Sequence, residues 1–305
     1  MMRFLAYTGT LLGIMLVVAI VLHVLVALMG VQLEEAELGV VLLVSLVYGM
    51  AGSAVSLFMS KYLIKKSYHL VPIAEPRNEV ERWLMDTVSS LAEKKNIGMP
   101  EVCIYDSRDM NAFATGWNKN HSLVAVSTAL LESMSREEVE AVLGHEMSHV
   151  ENGDMVTMSL VQGVVSSFVY FIAFIVARLV AARVRGAQVL VFRLVHMLTL
   201  WTVGFAGQFV VLAFSRWREF RADAGSAEVL GAGPMIKALE TLKTGYAVDR
   251  SNTVAGENAP KEPADDKNTS MLCISDREMA GIFGDWTRSH PSLQKRIEVL
   301  KERRR

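Results

Sequence analysis

The chain has 305 residues, 51% of them hydrophobic and 21% charged, with a mean hydropathy of +0.30 and a formal net charge of -1. That balance is too apolar for an ordinary soluble domain, and it lacks the strong basic excess that marks a nucleic-acid partner. Its two cysteines, Cys103 and Cys273, lie far apart and in no C-x-x-C arrangement, which argues against a disulfide framework and against thiol metal ligation. Two free thiols suit a reducing compartment.

Two uncharged apolar runs come first, Phe4 to Gly30 and Leu38 to Ser60. Each exceeds the roughly 20 apolar residues a helix needs to cross a hydrocarbon core. The first is too long for a signal-peptide core and has no small-x-small cleavage site, so it reads as a retained anchor. The link between the runs holds Glu34, Glu35 and Glu37 and no base, whereas Arg3 precedes the first run and Lys61, Lys65 and Lys66 follow the second. The bias of basic residues towards the cytoplasm therefore puts the N-terminus and the segment after Ser60 inside.

A polar stretch, 61–154, follows. Val80 to Lys95 is amphipathic, with Trp83, Leu84, Val88 and Leu91 on one helical face, and Gly98-Met-Pro100 breaks it. Glu101 to Tyr105, Asn111 to Ala114 and Ser122 to Ser127 read as strands, the last two joined by a turn through Gly116 to Asn120. Two more apolar runs, Met155 to Ala177 and Leu194 to Ser215, enclose a link with Arg178, Arg183, Arg185 and Arg193 and no acid. Either a re-entrant hairpin or two full spans with arginines reaching the interface fits that link. The last part, 216–305, is polar again. Tyr246 to Ser270 has a loop composition, and Ser292 to Arg305 is a basic helical tail with Leu293, Ile297 and Leu300 on one face. The expected domains are thus 1–60, 61–154, 155–215 and 216–305. The expected fold is an α-helical membrane protein with about four hydrophobic helices and a small α+β domain.

The strongest chemical signal is Gly144-His-Glu-Met-Ser-His149, an H-E-x-x-H motif. Ser135 and Glu138 have capping-box spacing, and Val139, Val142 and Leu143 supply a buried face. Residues four apart share one side of a helix, so His145 and His149 can turn both imidazoles to one metal ion, with Glu146 beside them as a general base towards water. Catalytic zinc needs three protein ligands and an open position. Met155 stands where a metzincin would carry its third histidine. Glu219 and Asp223, four apart in Arg218-Glu-Phe-Arg-Ala-Asp223, share one face of a helix expected to start right after the fourth apolar run, and offer one carboxylate for the metal and another to anchor a ligand histidine; Asp154 is a second anchor candidate. Residues 155–215 must then return to the side they left. The plainer reading of Glu219 and Asp223 is a solvated helix face paired with Arg218 and Arg221. His23 and His196 sit in apolar runs and suit helix packing, and His69 and His121 have no partners at ligand spacing.

With these motifs the chain resembles the HtpX family of heat-shock membrane zinc metalloproteases, within the larger group that includes the CAAX prenyl proteases. The likeness covers nearly the whole chain: the two N-terminal runs, Met59-Ser-Lys61, Asn111-Ala-Phe-Ala114, the H-E-x-x-H helix with Asn152-Gly-Asp154, Ser215-Arg-Trp-Arg-Glu-Phe-Arg-Ala-Asp223 and Ser289-His-Pro291. The resemblance implies that the α+β part is a zincin-like metalloprotease domain with one Zn2+ per chain held by His145, His149 and Glu219, with Glu146 as base and Asp223 and Asp154 as ligand anchors. It further implies that Asn111, Ala112, Phe113 and Ala114 form an edge strand that holds a substrate backbone, and that His290 steadies the oxyanion. The implied role is cleavage of misfolded or damaged membrane proteins, under stress, on the cytoplasmic side of the bacterial inner membrane. Two alternatives share many of these features: a prenyl-protein-type protease, which has more spans, and a non-catalytic membrane scaffold or chaperone with a structural metal, which has no need of Glu146.

Overall fold

The computed structural model describes residues 35–253 and 290–303. The expected span Phe4 to Gly30, the stretch 254–270 of the expected loop, and Cys273 lie outside the described residues.

Eight helices and three strands follow in order among the described residues. They are α1 (Glu35–Ser67), α2 (Glu79–Lys94), β1 (Glu101–Tyr105), β2 (Ala112–Asn118), β3 (His121–Ser127), α3 (Thr128–Ser133), α4 (Arg136–Asn152), α5 (Asp154–Ala181), α6 (Gln188–Leu230), α7 (Ala232–Thr253) and α8 (Leu293–Arg303). Among the described residues three segments are long and apolar enough to cross a membrane: Leu38–Ser67 within α1, all of α5, and α6. They correspond to the last three of the four runs read from the sequence.

Two compact units divide the chain. One contains the described residues up to Ala54 together with Leu160–Gln208. Small residues let its helices approach closely, as is usual where lipid supplies no hydrophobic drive. Gly49 of α1 lies against Ser167 of α5, and Gly163 of α5 against Ser53 of α1. Ser167 Oγ donates to its own helix at Gly163 O, 2.7 Å away, and reaches across to Leu46 O at 3.4 Å. Phe171, Ile175 and Leu179 form a small apolar cluster with Leu38, Val41 and Leu42.

The other unit, Val55–Ser159 with the chain from Phe209 onwards, carries the chemistry. Its sheet has the order β1-β3-β2, with β1 parallel to β3 and β2 antiparallel to it. Alternation along β2 sends Ala112 and Ala114 into the main core, while Phe113 joins Tyr68 and Tyr105 on the opposite face. The main core gathers Leu84, Val88 and Leu91 of α2, Val139, Val142, Leu143 and Met147 of α4, Leu239 and Leu242 of α7, and Ile297 and Leu300 of α8. Helix α4 thereby packs on β2, β3, α2 and α7 at once, and α8 closes onto α7. The faces expected for α2, α4 and the C-terminal helix are the faces that are buried.

Three local expectations need correction. The β2–β3 turn is tighter than Gly116 to Asn120: β2 runs on to Asn118, with a bulge between Gly116 and Asn118. Gly116 has φ +151, and a Cβ there would collide with His121 O, so only glycine lets the bulged strand come this close. Second, Glu219 and Asp223 begin no new helix. They lie inside the 43-residue α6, which continues the fourth apolar run without a break, because no glycine or proline stands between Ser215 and Ala224 to stop propagation. Third, residues 246–253 are the last turns of α7 and not loop. They contain no glycine or proline, so a helix already nucleated upstream extends through a polar sequence.

Candidate metal centre

Helix α4 is fixed at both ends. Ser135 Oγ accepts from Glu138 N while the Glu138 carboxylate accepts from Ser135 N at 2.8 Å, closing the capping box. Thr241 Oγ donates to the other Glu138 oxygen, which ties α7 to this end. At the far end Gly153, at φ 65, ends the helix in the left-handed conformation that glycine adopts without strain. Two further glycines set the distance to α6. A Cβ on Gly144 would lie 2.8 Å from Ser226 Oγ, and one on Gly225 would lie 2.6 Å from Ser148 Oγ. Ser226 Oγ donates to Ala141 O at 2.7 Å, and Lys95 clamps the same contact by donating to Gly225 O and Glu151.

That approach brings His145, His149 and Glu219 together, all three buried. The two imidazole Nε2 atoms are 3.1 Å apart. Glu219 Oε2 lies 3.4 Å from Nε2 of His145, and Oε1 lies 3.3 Å from Nε2 of His149. Each outer ring nitrogen meets a carboxylate: His145 Nδ1 is 2.9 Å from Asp223 Oδ1, and His149 Nδ1 is 2.7 Å from Asp154 Oδ2. Arg221 pairs with the other oxygen of Asp154, and Arg296 forks onto Asp223. A proton held at Nδ1 leaves a lone pair on each Nε2. Two lone pairs and a carboxylate then converge, all fully or nearly fully buried. Such a convergence of acceptors suits a cation. Tetrahedral zinc with nitrogen and oxygen ligands separates its donor atoms by roughly 3.3 Å, which the observed spacings match. The residues fit the metal.

Without a metal, protons take its place. Burial by itself would push both imidazoles down. For His145 this is outweighed by hydrogen bonds to Asp223 and Glu219, and for His149 by the Glu219 charge and by Asp154; His149 is raised to about 9. Glu146 is also buried, and desolvation pushes its carboxyl above the usual range. The backbone N–H of Ala114, in β2, donates to it. His290 comes from the segment before α8 and sets Nδ1 2.8 Å from Glu219 Oε2. Asn111 closes the start of β2: its N–H donates to Ser127 Oγ at 3.0 Å and its carbonyl accepts from Ser127 N. His69, His121 and His196 are not among the residues that converge on the metal position, and His121 stacks on Trp117 instead.

Two residues were not legible in advance. Arg221 reads as a partner of Glu219 or Asp223 on an exposed helix, yet it serves Asp154, 67 positions away. Arg296 reads as one more base in a basic tail and is fully buried. A faint signal existed for Arg296 alone: it precedes Ile297, one turn after Leu293, and so sits at the edge of the apolar face.

An H-E-x-x-H helix, a carboxylate from a second helix and a buried glutamate beside them, on a chain whose described residues include three membrane-capable helices, define a membrane metallopeptidase. The chain belongs to peptidase family M48, whose model matches residues 78–304, and within it to the HtpX proteases. It is 44% identical to the protein named Protease HtpX of Tolumonas auensis over 100% of both chains, and 47% identical to Protease HtpX of Vibrio cholerae over 99% of each. Among solved structures it is similar to S. mikatae Ste24p, with a TM-score of 0.59 at 18% identity. That match covers 85% of this chain and 58% of the other, and carries the fold alone.

Proposed function

We propose that the protein is a zinc-dependent endopeptidase of the bacterial inner membrane that cuts misfolded or damaged membrane proteins on the cytoplasmic side. The observation that carries this reading is the convergence of His145, His149 and Glu219, with both outer ring nitrogens already oriented by carboxylates. A bound zinc ion supplies Lewis acidity, which activates water and polarises the scissile carbonyl. The protein supplies the rest. Asp223 and Asp154 hold the ligand imidazoles in one tautomer and orientation. Glu146, its carboxyl raised by burial, takes a proton from the attacking water and returns it to the leaving amine. Asn111 leads into β2 and Ala112 to Ala114 lie on it, and among the described residues β2 has a β-strand neighbour on one side only. The free side of such a strand can pair with an extended substrate backbone. The Ala114 N–H reaches Glu146, Ala112 and Ala114 pack into the main core, and Phe113 anchors the strand from the opposite face. His290, beside Glu219, is placed to steady negative charge developing at the carbonyl oxygen.

The topology supports the same reading. Lys61, Lys65 and Lys66 at the end of α1 favour the cytoplasm for the catalytic unit. His149 and Glu219 belong to that unit although 160–208 intervene in the other, which favours an even number of crossings between them. The test is cleavage of unfolded casein by detergent-purified protein, first chelated and then given zinc. Zinc should restore cutting, and Glu146→Gln should bind zinc and lose activity by about 100-fold or more. A Glu146→Gln protein that cuts like wild type overturns the mechanism. Wild type that binds zinc and cuts neither casein nor a membrane substrate is a scaffold.

A further inference from the structure

Arg296 is fully buried, 0% exposed, on a short helix whose neighbouring Gln294, Lys295 and Glu298 are exposed. A guanidinium is buried in this way only when it is fully paired. Its Nε donates to Asp223 Oδ2 at 2.8 Å and its Nη2 to Oδ1 at 2.6 Å, a two-pronged contact that fixes the plane of the carboxylate. The same Oδ1 receives His145 Nδ1. Nη2 also lies 3.4 Å from that ring nitrogen, and Nη1 lies 3.8 Å from Glu219 Oε2. Arginine has donors and no acceptor. The ionised Asp223 Oδ1 can only accept, so it holds the proton on Nδ1 and leaves the lone pair on Nε2; Arg296 acts on the ring by fixing that carboxylate.

We propose that Arg296 is a positioning residue of the metal centre: through Asp223 it holds the His145 ring in the tautomer and orientation that a metal ion requires, so that α8 completes a site whose ligands all come from α4 and α6. The inference rests on the zinc reading above and deepens it. It separates the role of α8 in packing, which Ile297 and Leu300 perform, from the role of one guanidinium. Lysine at 296 keeps the charge and loses the fork; methionine loses both and keeps the bulk.

The experiment uses the full-length protein in detergent, with zinc affinity measured by competition against a chelating dye and ligand geometry read from the visible absorption of the cobalt-substituted protein. The variants are Arg296→Met, Arg296→Lys and Ile297→Ala, the last loosening the same helix without touching the centre. Expected is a loss of about 10- to 100-fold in zinc affinity for Arg296→Met, with an altered cobalt spectrum, and partial recovery in Arg296→Lys. Ile297→Ala should lower the melting temperature of the metal-free protein and leave affinity and spectrum near wild type. The inference is overturned if Arg296→Met keeps wild-type affinity and spectrum, or if Ile297→Ala reproduces its defects, because packing of α8 then explains both. A wild type that binds no zinc removes the underlying reading as well, and the wild-type arm tells that failure apart.

Discussion

Replacing Asp154 by asparagine tests the electrostatics of the centre most sharply. Asp154 is fully buried, accepts from His149 Nδ1 at 2.7 Å and pairs with Arg221. In the metal-free protein His149 is raised from 6.5 to about 9, burial opposing and the Glu219 charge and Asp154 prevailing. A shift of that size corresponds to about 3 kcal/mol. The folded-state value lies above the unfolded one. Metal-free wild type is therefore stabilised by this group below pH 6.5 and loses that contribution as pH rises through about 9. Zinc must displace the same proton, so wild-type affinity should climb about tenfold per pH unit for each protonated ligand histidine in this window. Asp154→Asn removes one of the two carboxylates that favour the charged imidazole, and the slope should flatten. It also removes the charge that orients the ring, which should lower the high-pH affinity by about 10- to 100-fold. Near neutral pH the two effects oppose each other, so a single measurement there is uninformative. The assay is chelator competition at several pH values from 6.5 to 9, with urea denaturation of the metal-free protein alongside. A variant whose affinity curve has the wild-type slope and the wild-type upper limit refutes the account.

Two further outcomes follow from the packing and the metal. Gly144→Val inserts a side chain 2.8 Å from Ser226 Oγ and 3.0 Å from Leu230 Cδ1, which should destabilise the unit by about 1–3 kcal/mol and weaken zinc binding by parting α4 from α6; thermal denaturation with and without metal checks it. Chelation should lower the melting temperature of wild type, and free zinc at 100 times its dissociation constant should restore about 2.7 kcal/mol, whereas His149→Ala should show neither response.

Much of the centre was legible before any coordinates because its logic is local. H-E-x-x-H places two imidazoles and a carboxylate through the helical repeat alone, and the capping box of Ser135 and Glu138 marks where that repeat begins. Four apolar runs with asymmetric flanking charge announced a membrane protein, since hydrocarbon thickness and backbone hydrogen bonding leave helices of that length little else to do. Local rules also set the limits. Whether 246–253 continues α7, and whether α6 breaks before Glu219, depends on propagation from neighbouring turns, which residue composition does not report.

What only the tertiary structure decided is who meets whom across long stretches of chain. Glu219 and Asp223 are equivalent as carboxylates four apart on one helix, and their division of labour arises because α4 meets α6 at Gly144 and Gly225. That contact sets Glu219 between the two Nε2 atoms and Asp223 behind the ring of His145. The pairing of Arg296 with Asp223, 73 positions apart, was invisible for the same reason. Sequence periodicity records the face of an element that is buried. It does not record the partner buried against it, and the charge of a surface-like arginine carries no mark of the carboxylate that folding will bring to it.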